Sequence, residues 1–182
     1  SPDGSPFSDP ASLAVLRSMV TDPAEASREI AASALVAMGH LGDTDALPDL
    51  IAWLKDEKAG AHRLDDLQLS CAAAAVGRIG RPGAAGPGYP AMVGALTDHL
   101  RRRNRLTRYS AVIALGQIGS VADDGTRQGC VSVLCDVAAS EGRGGMDVQT
   151  VNFALISLGR IAGASGEQAR GPAIARLLKS FD

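Results

Sequence analysis

Ala111-Val112-Ile113-Ala114-Leu115-Gly116-Gln117-Ile118-Gly119 decides the fold, because the chain writes it four times. The other copies are Ala34-Leu35-Val36-Ala37-Met38-Gly39-His40-Leu41-Gly42, Ala72-Ala73-Ala74-Ala75-Val76-Gly77-Arg78-Ile79-Gly80 and Ala154-Leu155-Ile156-Ser157-Leu158-Gly159-Arg160-Ile161-Ala162. The step from Gly39 to Gly77, Gly116 and Gly159 lies near the ~40 residues of paired-helix solenoid repeats. A single unit of that kind cannot bury its own apolar face, so neighbours must stack. The expected fold is therefore all-α, a right-handed α-solenoid of antiparallel helix pairs with one curved surface.

Helical periodicity divides each repeat in two. The first helix of each pair is expected over residues 25–39, 65–77, 106–116 and 147–159. Ala34, Ala72, Ala111 and Ala154 stand five places before the glycine, and Ala37, Ala75, Ala114 and Ser157 two places before it. Positions three apart share a helix face, so these residues form a small-residue seam that another helix can approach closely. The glycine is read as lying near the helix end, where freedom to take positive φ is most useful. Leu41, Ile79, Ile118 and Ile161 are read as tucking the turn back into the core. The second helices align on Leu47-Pro48-Asp49-Leu50-Ile51-Ala52-Trp53-Leu54, Tyr89-Pro90-Ala91-Met92-Val93-Gly94-Ala95-Leu96, the segment from Cys130 and the segment from Gly171. Proline is tolerated there because first-turn amides lack an intrahelical partner. Residues 1–10, rich in proline and serine, read as a linker or cloning remnant ahead of a solenoid over 11–182. That solenoid opens with a lone helix at 11–20. Neither end of the array shows a polar cap, so a piece of a longer protein is expected.

Composition narrows the function. Apolar residues are 46% of the chain but aromatics only 3%, so the core is built of small and aliphatic side chains that suit close helix stacking. A net charge of -2 argues against general nucleic-acid binding. No apolar run approaches the roughly 20 residues of a membrane span. Cys71, Cys130 and Cys135 are too few and too oddly spaced for a disulfide framework, and three unpaired cysteines favour the cytoplasm. No His/Asp/Glu group has metal-ligand spacing and no serine or cysteine lies in a nucleophile motif, so neither a cofactor nor catalysis is expected.

Thr107-Arg108-Tyr109-Ser110-Ala111-Val112-Ile113-Ala114-Leu115-Gly116-Gln117-Ile118-Gly119, followed by a Pro-x-Leu-Ile-x-x-Leu-x-Asp helix as in Pro48 to Asp56, resembles the HEAT repeat. More narrowly it resembles the short bacterial-type repeats found in phycobilin lyases. The arginine of that pattern is Arg108, and its counterparts here are Ala31, Leu69 and Val151. The resemblance covers 24–182 and implies the solenoid fold. It leaves function open, because such scaffolds serve unrelated roles. A non-catalytic scaffold for a protein or peptide partner is the leading reading. A phycobilin-lyase-like chromophore-handling protein and a HEAT-like DNA-binding or glycosylase module are the alternatives.

In such solenoids the second helices usually line the concave surface. Their outward positions are Asp49, Ala52, Trp53 and Asp56, then Ala91, Ala95 and Asp98, then Ser132 and Asp136, then Ala173 and Arg176. Trp53 is expected to anchor a partner on the open face, since large aromatics dominate binding energy. Asp49, Asp56, Asp98 and Asp136 would make that groove mildly acidic. Arg101, Arg102, Arg103 and Arg105 form the densest charge cluster and a possible anion contact.

Overall fold

The computed structural model describes residues 10–22, 27–80, 88–101, 104–140, 146–164, 171 and 174–175. Helices α1 (Pro10–Thr21), α2 (Arg28–Leu41), α3 (Leu47–Asp56), α4 (Asp66–Ile79), α5 (Tyr89–Leu100), α6 (Arg105–Gly119), α7 (Asp124–Ala139) and α8 (Val148–Ala164) follow one another along the chain. They pack in neighbouring pairs into an all-α solenoid. The tract-bearing helices α2, α4, α6 and α8 form one row, and α3, α5 and α7 form the other.

Helix starts follow from short polar residues whose side-chain oxygens accept first-turn amides that have no intrahelical partner. Ser27 accepts from the Ile30 N–H, Asn104 from Thr107, Asp123 from Thr126 and Asp147 from Thr150. Asp65 and Gln68 form a reciprocal capping box at α4. Pro48 and Pro90 occupy the first turns of α3 and α5, as their missing N–H allows.

The tract glycine does different work from that expected. Helix α2 continues past Gly39 to Leu41, α4 past Gly77 to Ile79, α6 past Gly116 to Gly119 and α8 past Gly159 to Ala164. These glycines are helical, and Ile79, Ile118 and Ile161 are buried helix residues rather than turn residues. The left-handed turn comes later, at Gly42, whose φ is 70° and whose N–H bonds the Met38 carbonyl.

What the glycines supply is absence of a side chain at a helix crossing. A Cβ on Gly39 would lie 2.8 Å from Ala75 Cα, and one on Gly77 would lie 2.6 Å from Ala114 Cα. One on Gly116 would lie 2.5 Å from Ser157 Cβ. Each glycine thus receives the seam residue of the next repeat, and Ser157 completes its contact by donating to the Val112 carbonyl at 3.1 Å. The core grows from these joints: Leu35, Met38, Leu50, Leu54, Met92, Leu96, Leu115, Ile118, Leu134, Leu158 and Ile161 have essentially no exposed surface.

Two further departures concern connections. Helix α7 begins at Asp124, well before Cys130. A small hairpin follows α3, with β1 (Lys58–Ala59) antiparallel to β2 (His62–Arg63). Glu57 enters it with φ 55° and accepts the Leu64 N–H at 2.9 Å. The segment 1–9 and most of the helix expected from Gly171 lie outside the described residues, of which Gly171, Ile174 and Ala175 are helical.

The joint sets the sign of glycine replacement. In an open helix interior, Gly→Ala stabilises by about 0.5–1 kcal/mol. Gly94 on α5 has nothing within 4 Å of its would-be Cβ, so Gly94→Ala should raise the thermal midpoint. Gly77→Ala should lower it, because overpacking a close-packed contact costs about 1–3 kcal/mol. Calorimetry on the two variants checks this, and midpoints that both rise would mean the joint is loose.

Candidate functional site

The helical turn that points Gly39 at α4 points Val36 at solvent, roughly a sixth of a turn away. The equivalents are Ala74, Ile113 and Ile156, so one row of positions crosses the solvent face of α2, α4, α6 and α8. Val36 is 39% exposed, Ile113 37% and Ile156 66%. Beside them, Leu106 at the start of α6 is 53% exposed. Tyr109 and Phe153 meet edge to face between α6 and α8, with ring centroids 5.2 Å apart. One turn further on, His40, Arg78, Gln117 and Arg160 form a polar, largely basic edge. Apolar side chains standing in water across successive repeats are what a solenoid uses to hold a partner.

A polar clasp at the helix starts fixes this surface. Asp147, which caps α8, accepts from Thr150 Oγ1 at 2.8 Å, Tyr109 OH at 2.8 Å and Arg108 Nη2 at 2.9 Å. The two donors from α6 tie the aromatic pair to the next repeat. Burial pushes the Asp147 carboxyl up, but the Thr150 and Tyr109 hydrogen bonds and the Arg108 charge outweigh it and bring the pKa down to about 2. Partial burial and the Asp147 hydrogen bond push the Tyr109 phenol up from 10. Arg108 is therefore a buried strut between repeats, only 8% exposed, and not part of the basic surface run. At the joint between α2 and α4, Arg28 pairs with Asp65 in the corresponding way.

The residues expected from the sequence spread over the other row. Trp53 does not stand open on a groove: it is 8% exposed and belongs to the core. Ala95, its equivalent in the next repeat, is 1% exposed. The buried arc of α3 runs through Leu47, Leu50, Trp53 and Leu54, with Ile51 only half-buried. Asp49 accepts from Arg17 Nε of α1 at 2.6 Å and so bridges α1 to α3. Asp56, Asp98, Ser132 and Asp136 are exposed. Arg101 and Arg105 are exposed at the end of α5 and the start of α6, while Arg102, Arg103, Ala173 and Arg176 lie outside the described residues.

Other features have local explanations. His99 is 1% exposed, and its Nε2 donates to the Leu54 carbonyl at 2.9 Å, satisfying a group left over at the end of α3. Burial holds its pKa below 6.5, against the pull of that hydrogen bond and the Asp98 charge. Near it a polar recess of about 360 Å³ is lined by Glu57, Arg63, Asp65, Asp66, His99 and Thr107, with Leu64 and Leu69. Burial, then the Asp123 charge, pushes the Cys130 thiol up to about 12, and Cys71 is raised by burial and Asp65, which leaves neither poised as a thiolate. Among the described residues no group of three His, Cys, Asp or Glu side chains is placed to hold a metal ion. No helix among them is long and apolar enough to cross a membrane.

The Asp147 clasp predicts a pH dependence. A carboxyl whose pKa is lower folded than unfolded stabilises above the unfolded value, and loses that contribution as pH falls through the folded one. From the ordinary 3.8 to about 2, the wild type should therefore lose thermal stability as acid is added. Asp147→Asn should start lower at pH 7 and show a shallower fall between about pH 4 and 2. Parallel melting curves for the two proteins across that window would exclude the clasp as a source of stability.

No curated protein matches the chain. Residues 28–56, from the start of α2 to the end of α3, match the family model described as PBS lyase HEAT-like repeat. Together with the same glycine joint recurring through α8, that match supports placing the chain among the HEAT-like repeat proteins.

Proposed function

We propose that this HEAT-like repeat array is a non-catalytic scaffold that binds a protein or peptide across the solvent face of α2, α4, α6 and α8. The observation that carries the reading is the exposed apolar row Val36, Ile113 and Ile156, widened by Leu106 and the Tyr109–Phe153 pair. Spacing supports the choice of face. Glycine against alanine or serine brings this row to backbone contact, whereas the other row is separated by side chains as large as Trp53, Met92 and Leu134. On this reading the array bends toward the row with the shorter spacing, so the apolar face takes the inside of the curve and Asp56, Asp98 and Asp136 the outside, the reverse of the arrangement expected from the sequence. The edge formed by His40, Arg78 and Arg160 favours a partner that is apolar along its centre and acidic along one side.

Affinity capture followed by mass spectrometry identifies the partner, and titration with paired variants tests the face. Truncating or charging a buried apolar anchor commonly costs ~2 kcal/mol or more. Ile113→Asp and Ile156→Asp should therefore weaken binding at least about tenfold while the helical circular dichroism stays unchanged. Asp98→Asn with Asp136→Asn should leave binding within about twofold, as exposed single charges contribute little. If the aspartate pair abolishes binding and the isoleucine changes do nothing, the partner docks on the α3–α5–α7 face.

A further inference from the structure

The polar recess beside His99 is built almost entirely of hydrogen-bond acceptors. Successive elements of the array wall it: the segment after α3 supplies Glu57 and Arg63, the start of α4 Asp65 and Asp66, the end of α5 His99 and the start of α6 Thr107. His99 and Thr107, each 1% exposed, form its floor, while Arg63 and Asp66 are exposed at its rim. Its volume of about 360 Å³ falls in the range of small-ligand sites.

At the floor, Thr107 Oγ1 donates its proton to the Asp66 carbonyl at 3.3 Å, so only lone pairs remain on it. The His99 ring is fixed in the same sense. The Leu54 carbonyl can only accept, so Nε2 carries the ring proton. Burial keeps the ring uncharged at neutral pH, and Nδ1 is then an acceptor. That atom is buried without a hydrogen-bond partner, a state in which folded proteins leave few polar groups. At the rim, Asp65 is committed to its capping box and to Arg28, and Arg63 stands 3.7 Å from Glu57. Among the described residues nothing pairs with the Asp66 carboxylate. Carboxylates from Glu57, Asp65 and Asp66 against the single guanidinium of Arg63 leave the rim negative.

We propose that this recess binds a cationic N–H donor, a guanidinium or primary ammonium group, held between His99 Nδ1 at the floor and the Asp66 carboxylate at the rim. Both groups carry donors and no acceptor, which is what a pocket of acceptors requires. An anion would meet lone pairs below and carboxylates above. A metal ion lacks ligands, since no three His, Cys, Asp or Glu side chains among the described residues are placed to hold one. His99 has almost no surface of its own, so the entering group reaches Nδ1 by displacing rim side chains, of which Arg63, 80% exposed, is the most movable. The recess shares no residue with the exposed apolar row, so substitutions in that row leave it intact.

An NMR titration of protein carrying isotope-labelled histidine, followed at the ring nitrogens at neutral pH, tests this. The probes are ethylguanidine, butylamine and tetramethylammonium, the last a cation with no N–H. Ethylguanidine or butylamine should move the His99 Nδ1 resonance saturably and leave His40 in place, and tetramethylammonium at equal ionic strength should move neither. Asp66→Asn should weaken binding about two- to fivefold, as loss of a partly exposed ion pair does. Arg63→Ala should tighten it by removing the competing cation. A short peptide with one arginine separates the sources of the group: binding tighter than ethylguanidine assigns it to a side chain of a partner, and equal or weaker binding to a free small molecule. A His99 resonance that never moves overturns the proposal. So does one moved equally by tetramethylammonium, or an affinity unchanged in Asp66→Asn.

Discussion

Everything in this molecule depends on a glycine in one helix meeting a seam residue, alanine or serine, in the next. The contact is short enough that a single methyl group on Gly39 or Gly77 would fall within 3 Å of a Cα atom. Helix axes held that close leave no room for side chains at the crossing, so the large residues are displaced to either side of it. On one side Leu35, Met38, Leu115 and Leu158 fill the space between the rows and form the core. On the other, Val36, Ile113 and Ile156 stay partly exposed, Ile156 most of all. Core and exposed stripe are two consequences of the same crossing.

Close crossings are permissive in rotation as well as in distance, because small residues interlock weakly. The polar clasps at the helix starts supply the missing register. Arg28 with Asp65, and Arg108 and Tyr109 with Asp147, each link one helix start to the next, two to three turns from the glycine. A helix rises 1.5 Å per residue, so joint and clasp are separated by about 10–18 Å along the axis and together fix the angle between neighbours. Asp147 carries most at its clasp, accepting from a backbone amide, two hydroxyls and a guanidinium.

The sequence disclosed the fold because the tract repeats and because its small residues fall at helical spacing. The glycine shows where that legibility stops. A glycine near the end of an apolar run has two uses, positive φ and close approach, and the run alone does not separate them. The spacing between the repeats does so only once the next helix is in place, when Gly39 is seen to face Ala75 while Gly42 takes the left-handed turn. Trp53 was misplaced for a related reason. It reads as outward because the second helices are expected to line an open face, whereas it is buried in the core together with Leu47, Leu50 and Leu54. The exposed row was hidden by its own hydrophobicity, since Ile113 and Ile156 merge with the surrounding core residues when read along the chain. Their recurrence three places before the glycine, with Val36, was the available signal.

Exposed isoleucines cost a free protein solubility, and an isolated array would gain by replacing them. Ala74 shows that the position tolerates a smaller residue without disturbing the joint, since the same helix places Gly77 against Ala114 as closely as its neighbours manage. The joint therefore does not require isoleucine at 113 and 156, and helix propensity ranks isoleucine below alanine. Phe153 beside Tyr109 adds to the same surface, in a chain where aromatics are otherwise scarce. On the proposed reading these residues are explained by a partner that covers them, and the chemistry they offer it is an apolar centre with a basic margin.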